Sequence, residues 1–186
     1  MNEVALAPWV AASRDVLCAI SVQGWIKTAG EAFREAHPDV EDQGPPTARS
    51  VVQIPWSPAE ADLRHVNVAS LGAEDLVGQG DLLDRLVSNI PIVACTQGRD
   101  GADIYVDGRV TRVGVYPAAE VDPTGAGDTF AAGFIYGLAC GKDPVHAACL
   151  GAAAASIVVE GVGGALIHHI GEMAADRAQE IADRIG

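Results

Sequence analysis

The chain has few basic residues and few aromatic side chains. Its 186 residues include 12 Lys and Arg against 25 Asp and Glu, which gives a formal net charge of −13, and aromatic residues make up only 5%. So acidic a surface repels nucleic acid and anionic membranes, and we expect neither as a partner. Hydrophobic residues nevertheless make up 49% of the chain, a composition typical of an ordered globular protein with an aliphatic core.

Signals for secretion or membrane insertion are also scarce. Residues 1–7 lack the basic and apolar regions of a signal peptide. The longest run without charged side chains, residues 144–159, is shorter than the ~20 apolar residues that a membrane span needs. We therefore expect a cytoplasmic protein.

The cysteines form no C-x-x-C pair, which disfavours a redox motif or a zinc ribbon. Each lies in an apolar context, and the four positions are Cys18, Cys95, Cys140 and Cys149. We interpret them as small buried hydrophobes in a reducing compartment, with a reactive or metal-binding thiol as the alternative.

Apolar runs alternate with helical patterns along the chain. Buried strands are predicted at 16–22, 65–70 and 90–96, a further strand at 50–54, and helices at 25–35, 79–88, 124–140, 144–159 and 172–185. Residues 102–106 and 109–115, joined by Asp107-Gly108, predict a β-hairpin with a type I′ turn. The fold class is therefore α/β, with a mostly parallel sheet covered by helices and one hairpin at an edge.

Prolines and charges interrupt this pattern between residues 37 and 58. We interpret the segment as a surface loop or an irregular insertion within one domain of residues 1–186.

Residues 122–130, Asp122-Pro123-Thr124-Gly125-Ala126-Gly127-Asp128-Thr129-Phe130, are hard to explain by packing. Gly125-Ala126-Gly127 at a helix start leaves backbone N–H groups unpaired, with the positive end of the helix dipole behind them, and so predicts an anion hole. Asp128 in the first turn could accept a proton from a hydroxyl group. A base beside an anion hole favours phosphorylation of an alcohol. The alternative is a tight turn with Asp128 as a capping residue.

Other nucleotide and metal sites are disfavoured. The chain contains no G-x-x-x-x-G-K-[ST] motif, which excludes a P-loop, and Gly125-x-Gly127-x-x-Phe130 lacks the third glycine of a dinucleotide fingerprint. His168 and His169 are adjacent, have no third ligand nearby, and are interpreted as a solvated pair.

The string at 122–130 resembles the C-terminal signature of the ribokinase-like sugar kinases, the phosphofructokinase B type, and residues 130–134 fit as well. The resemblance implies a three-layer α/β/α sandwich, with the nucleotide-binding and catalytic segment at 92–164. It covers the chain from about residue 4 onward as the C-terminal part of the family. The family's N-terminal part, with its β lid and most sugar contacts, is therefore expected to be missing from a truncated domain.

The resemblance also implies roles for individual residues. Asp128 matches the family's catalytic base, and Gly125, Ala126 and Gly127 match its anion hole. The family's nucleotide-contacting T-x-G corresponds to Thr96 and Gly98, with Gly101 following at the start of the hairpin.

Five further positions carry two interpretations each. Glu74 falls where the family has the glutamate of an N-x-x-E motif that organises Mg²⁺ through water, but Leu71 replaces the asparagine, and an ordinary surface glutamate is the alternative. Asp122 falls where many members bind a monovalent cation such as K⁺, or else it caps the turn. Gly151, Ala152 and Ala155 would let the flat base of a nucleotide approach the helix, or they serve helix packing, or both.

The resulting hypothesis is an ATP- and Mg²⁺-dependent kinase for a sugar or a nucleoside. The alternative is a non-catalytic module that binds nucleotide or self-associates, since sheet edges bared by missing strands favour homo-oligomers. A third interpretation is a fragment or one part of a split enzyme.

Overall fold

The structure of the chain is a computed structural model that describes residues 17–29 and 51–185. The strands are Ala19–Ser21 (β1), Lys27–Ala29 (β2), Val51–Gln53 (β3), Val68–Gly72 (β4), Ile92–Thr96 (β5), Ala102–Val106 (β6) and Arg109–Val113 (β7). The α-helices are Gln23–Ile26 (α1), Glu60–Leu63 (α2), Leu82–Asn89 (α3), Ala126–Ala139 (α4), Pro144–Val158 (α5) and Ile170–Ala182 (α6). Short 3₁₀ turns lie at Ala73–Leu76, Gly98–Asp100 and Ile167–His169.

Five strands form the central sheet in the order β1-β4-β5-β6-β7. Strands β1, β4 and β5 are parallel, and β6 and β7 add to β5 as an antiparallel hairpin. Asp107 and Gly108 both have positive φ, 47° and 77°, as a type I′ turn requires. The predicted parallel sheet with a hairpin at its edge is confirmed.

Helices cover both faces of this sheet, because its central strands are apolar on both sides. On β4 and β5, Ala69 and Val93 face a core cluster that includes Leu63 of α2 and Leu86 of α3. The alternating residues face a second cluster with α4, α5 and α6, which includes Val68, Ala94 and Phe134. The three-layer α/β/α sandwich expected from the resemblance is confirmed.

Small residues let α4 and α5 pack with their backbones close together. A Cβ on Gly137 would lie 2.9 Å from Ala147 Cα, and one on Gly133 would lie 3.0 Å from Gly151 Cα. Asp143 caps α5 as predicted, since its carboxylate accepts from Val145 N and His146 N at 3.1 and 3.2 Å. This helix pair forms one wall of the site described below.

Two predictions fail in the described residues. The helix predicted at 25–35 is contradicted at residues 25–29, where the single turn α1 ends and β2 follows at once, because β2 pairs with β3 in a separate two-stranded sheet. The rest of this predicted helix, residues 30–35, lies outside the described residues. The chain around α1 is held by the ring of Trp25, stacked on Trp56 with centroids 5.7 Å apart. Cys140 is exposed, because it follows the end of α4, so it is not a buried hydrophobe.

Part of the predicted insertion at 37–58 lies outside the described residues, from 37 to 50, as does the region before residue 17. The strand predicted at 50–54 is present as β3. None of the helices in the described part of the chain is long and apolar enough to cross a membrane.

Candidate active site

Two adjoining cavities open where the parallel strands β1, β4 and β5 end. The larger has a volume of about 650 Å³, and the smaller about 200 Å³. Both are lined by Glu74, Thr96, Pro123 and Gly127. In open α/β sheets, ligands bind at the carboxyl ends of the strands. The cavities therefore have the position of a ligand site, and they meet at the start of α4.

The first turn of α4 presents free backbone donors at this junction. Gly125, the residue before the helix, has φ 81°, a left-handed conformation that glycine adopts without strain. The N–H groups of Gly125, Gly127 and Asp128 donate to no acceptor in the described chain, whereas Ala126 N donates to Pro123 O at 3.1 Å. Unpaired N–H groups at the start of a 14-residue helix form a site suited to an anion.

Asp128 stands beside these donors and lines the smaller cavity only. Its side chain is exposed, so its carboxylate can reach a bound molecule. The smaller cavity is also lined by Ser21 at the end of β1 and Ser70 in β4. A carboxylate and hydroxyl groups around a small polar cavity can hydrogen-bond to the hydroxyls of a ligand.

Thr96, Gly98 and Gly101 all line the larger cavity. The Thr96 hydroxyl donates to Leu71 O at 3.3 Å and so joins the ends of β5 and β4. Gly101 has φ 94°, and a Cβ there would lie 2.1 Å from Val113 O, so a larger residue would push β7 away. The residues of the predicted T-x-G segment therefore come together at one wall.

Helix α5 and the loop of residues 114–125 form the opposite walls of the larger cavity. Ala152 and Ala155, both expected from the sequence to leave room for a flat base, line the cavity together with Ser156, which sequence reasoning missed. Gly151 lines neither cavity among the described residues; a Cβ there would lie 2.6 Å from Phe130 O, so this glycine serves helix packing. Its contact with a nucleotide stays a prediction.

A buried arginine supports this wall from behind. Arg177 in α6 donates to Ser156 Oγ at 3.0 Å and to Glu160 Oε2 at 2.9 Å. Its guanidinium also lies 4.5 Å from the centre of the Tyr116 ring, in a cation–π contact. Both Ser156 and Tyr116 line the larger cavity, so Arg177 holds two of its lining residues in place.

Glu74 lines both cavities, in the turn that follows β4. The next residue, Asp75, was missed by sequence reasoning, although its side chain is only 2% exposed and lines the smaller cavity. Its Oδ2 accepts from Gly72 N at 2.9 Å, and its Oδ1 lies 2.7 Å from Lys27 Nζ. That pairing joins residues far apart in sequence, so no local pattern indicated it.

Asp122 lines neither cavity among the described residues. Its Oδ1 accepts from Thr124 N at 2.9 Å and its Oδ2 from Gly163 N at 2.8 Å. Hydrogen bonds from Thr124 and from the Gly163 N–H lower the pKa of this carboxyl. These contacts are those of a turn cap that also ties the start of α4 to the loop after α5.

An ion pair across the larger cavity was also missed by sequence reasoning. Arg99 Nε donates to Glu120 Oε2 at 3.0 Å and Arg99 Nη2 to Glu120 Oε1 at 2.9 Å. Both residues line the cavity, and they come from different walls. Among the residues that line the two cavities, Arg99 is the one Lys or Arg, against four carboxylates at Glu74, Asp75, Glu120 and Asp128.

Known structures share this arrangement of sheet and helices. The nucleoside kinase of Methanocaldococcus jannaschii, an archaeal member of the ribokinase family, matches with a TM-score of 0.55 and 26% identity, over 63% of this chain and 41% of that one. A probable sugar kinase from Rhizobium etli matches with a TM-score of 0.55 and 29% identity, over 62% of this chain and 37% of that one. The fold is therefore that of the ribokinase-like α/β kinases.

The sequence assigns the chain within that class. The model of the pfkB family carbohydrate kinases matches residues 65–169, more than half of the chain and the whole region of the two cavities beyond β1 and α1. The chain belongs to the pfkB carbohydrate kinase family.

Curated relatives match over part of their length. Inositol 3-kinase of Oryza sativa is 54% identical over 59 residues, which are 32% of this chain and 15% of that protein. The 5-dehydro-2-deoxygluconokinase of Geobacillus thermodenitrificans is 49% identical over 69 residues, 37% of this chain and 20% of that protein. The chain thus spans about a fifth or less of these relatives.

Proposed function

We propose that the chain binds ATP in the larger cavity and transfers its terminal phosphoryl group to a hydroxyl of a sugar or nucleoside in the smaller one. The observation that carries this proposal is the junction of the two cavities at Gly127, beside free N–H groups and Asp128. A phosphoryl group at this junction would be in contact with both cavities. Transfer from one to the other would then need no large movement of either substrate.

The larger cavity suits a nucleoside. Its volume of about 650 Å³ lies within the usual range for a small-molecule site. The side chains of Ala152 and Ala155 on α5 are small, so a flat base has room between this helix and the loop that carries Tyr116. The phosphates would then extend toward Gly127 and the start of α4.

At the junction, the chemistry is an in-line displacement. The Asp128 carboxylate accepts the proton of the acceptor hydroxyl, and the oxygen lone pair forms the new O–P bond while the bond from the γ-phosphorus to the β–γ bridging oxygen breaks. The N–H groups of Gly125, Gly127 and Asp128 stabilise the negative charge on the phosphoryl oxygens. The products are ADP and a phosphate ester.

Mg²⁺ is expected to accompany the nucleotide. Four carboxylates and one guanidinium line the two cavities, so a polyanion needs an added cation. The described residues contain no group of three His, Cys, Asp or Glu that could hold a metal, but Mg²⁺ keeps several waters and needs only one or two carboxylates besides phosphates. Glu74 fits that role, and bound Mg²⁺ would neutralise phosphate charge. At Asp122, where both oxygens already accept N–H groups, K⁺ stays a prediction.

A second candidate is a nucleotide-binding module that self-associates without catalysis. In the described part of the chain β1 is an edge strand of only three residues, so one side of it carries unpaired backbone groups. We propose pairing between two copies at this edge. Light scattering on the purified chain should return a dimer, and a compact monomer would contradict the pairing.

The cytoplasm is the compartment we propose for either function. It supplies ATP, and it keeps thiols reduced, as the four free cysteines require. Cell fractionation followed by immunoblotting should recover the chain with cytosolic markers, and recovery outside that fraction would contradict the assignment.

An acceptor panel tests the main proposal. Purified chain is first titrated with ATP and Mg²⁺ by calorimetry, and ADP release is then measured with inositols, hexoses, 2-deoxyaldonates and nucleosides. We expect saturable ATP binding and ADP release that depends on one acceptor class. Binding with no turnover for any acceptor favours the non-catalytic module, and absence of ATP binding contradicts both.

A further inference from the structure

The larger cavity is lined by one cationic side chain, Arg99, which already forms an ion pair with a carboxylate. Arg99 and Glu120 form a bidentate pair, Nε with Oε2 and Nη2 with Oε1, the fork geometry by which arginine also binds phosphate. The Arg99 side chain is 79% exposed, and the pair stands in the cavity rather than in the core. Hydrogen bonds from Arg99 to the Glu120 carboxylate raise the pKa of the guanidinium, which stays charged.

The backbones on both sides of the pair are fixed independently of it. The Arg99 turn is held by Arg112, whose Nε and Nη2 donate to Asp100 O at 3.1 and 2.8 Å. The Glu120 loop is held by Val121 N and Asp122 N, which donate to Val159 O at 2.7 and 3.1 Å. Breaking the pair therefore frees two side chains without releasing either wall of the cavity.

An exposed ion pair contributes little to folding stability, because water screens it and two long side chains lose freedom. A phosphate group with a double negative charge competes well for such a guanidinium. Every other charged side chain that lines the two cavities is acidic, so among these lining residues a nucleotide phosphate has one cationic side chain to bind. Replacement of the Glu120 carboxylate by phosphate is thus favoured at Arg99.

We propose that Arg99 is the phosphate-binding side chain of the larger cavity, and that Glu120 occupies it until a nucleoside diphosphate or triphosphate takes its place. This inference rests on the proposed function, since it requires nucleotide binding there. It predicts selectivity for phosphorylated nucleosides over free nucleosides. Glu120 acts as a competitor that a ligand must displace.

The test compares ADP with adenosine, both with Mg²⁺, by calorimetry on the full chain. Arg99→Gln should weaken ADP binding roughly tenfold or more, as expected for the loss of a charge-assisted hydrogen bond, and leave adenosine binding unchanged. Glu120→Gln should tighten ADP binding several-fold, because the competing carboxylate is gone. Arg109→Gln is the matched control: Arg109 is exposed at the hairpin, outside both cavities, and should change ADP affinity less than twofold.

Four results would overturn the inference. Equal losses of ADP and adenosine affinity in Arg99→Gln would indicate a structural role for the arginine. Weaker ADP binding in Glu120→Gln would indicate that the pair itself supports the site. If the unaltered chain binds neither ligand, the proposed function fails and this inference with it. If ADP binds to the unaltered chain and to Arg99→Gln with equal affinity, the inference alone is overturned.

Discussion

The two cavities differ in how their walls are built. The larger is lined by the end of β5, the turn at 98–101, the loop of residues 114–125, and helices α4 and α5, which pack closely around a continuous core. The smaller depends in part on Ser21 and Gln23, at the end of an edge strand and in a single helical turn. The proposed nucleotide side is thus set by extensive packing, whereas the proposed acceptor side is set by few and local contacts. A substitution in one cavity should therefore affect nucleotide binding and phosphoryl transfer to different extents.

The strongest separation is expected at Asp128, which lines only the smaller cavity. Asp128→Asn removes the proposed base and should lower phosphoryl transfer by on the order of 10²–10⁴-fold, with ADP affinity within about twofold. Steady-state ADP release and calorimetry measure the two effects. Asp107→Asn, the same change in the exposed hairpin turn, is the control; parallel loss of binding in Asp128→Asn would contradict the assigned role.

A side chain at Gly127 should affect both cavities at once. A Cβ added at Gly127 would have no neighbouring atom within 4 Å, so the Gly127→Val variant can fold. The valine side chain would, however, occupy the junction of the two cavities. We expect ADP affinity to fall roughly tenfold or more and transfer to be lost, with the free energy of unfolding little changed. Gly171→Val, at an equally open and exposed glycine in α6, is the control. Unaltered ADP binding in Gly127→Val would show that nucleotide binds elsewhere.

The packing behind the larger cavity can be loosened at a residue that does not itself line the cavity. Gly151→Ala places a Cβ 2.6 Å from Phe130 O, which forces α4 and α5 apart. The free energy of unfolding in urea should fall by about 1–3 kcal/mol. Gly171→Ala serves as the control and should not destabilise the chain. An unchanged urea midpoint for Gly151→Ala would contradict the close helix contact.

The smallest effect is a difference in thiol reactivity. Burial raises the pKa of Cys95 and of Cys149 to about 11, so at pH 8 only about one in a thousand of either thiol is ionised. Cys140 is exposed and Cys18 partly buried. Mass spectrometry after iodoacetamide treatment should show Cys140 alkylated first, then Cys18. The two buried cysteines should react faster only as the pH approaches 11, and early labelling of Cys149 would show that α5 is not packed as described.

The sequence predicted the features that depend on local chemistry. The turn at Gly125, the cap at Asp143 and the hairpin at Asp107-Gly108 each follow from backbone preferences of a few residues. The parallel strands followed from apolar runs on both faces. These local signals were enough to predict the α/β fold and the position of the candidate anion hole.

Long-range contacts could not be predicted in this way. The pairs Arg99–Glu120 and Lys27–Asp75 join segments that meet only in the folded chain. Where a helix was predicted after Trp25, the chain forms the strand β2, because pairing of β2 with β3 outweighs a weak helical pattern. Gly151 could be assigned to packing only when the position of Phe130 was known.

The proposed function requires nucleotide phosphates to lie at the start of α4, where the two cavities meet. A crystal structure of the chain with ADP and Mg²⁺ tests it most directly. We expect the base to lie against Ala152 and Ala155, and a β-phosphate oxygen to lie about 2.7–3.2 Å from the N–H nitrogen of Gly127. ADP bound away from Gly127, or with its phosphates directed out of the larger cavity, would contradict it.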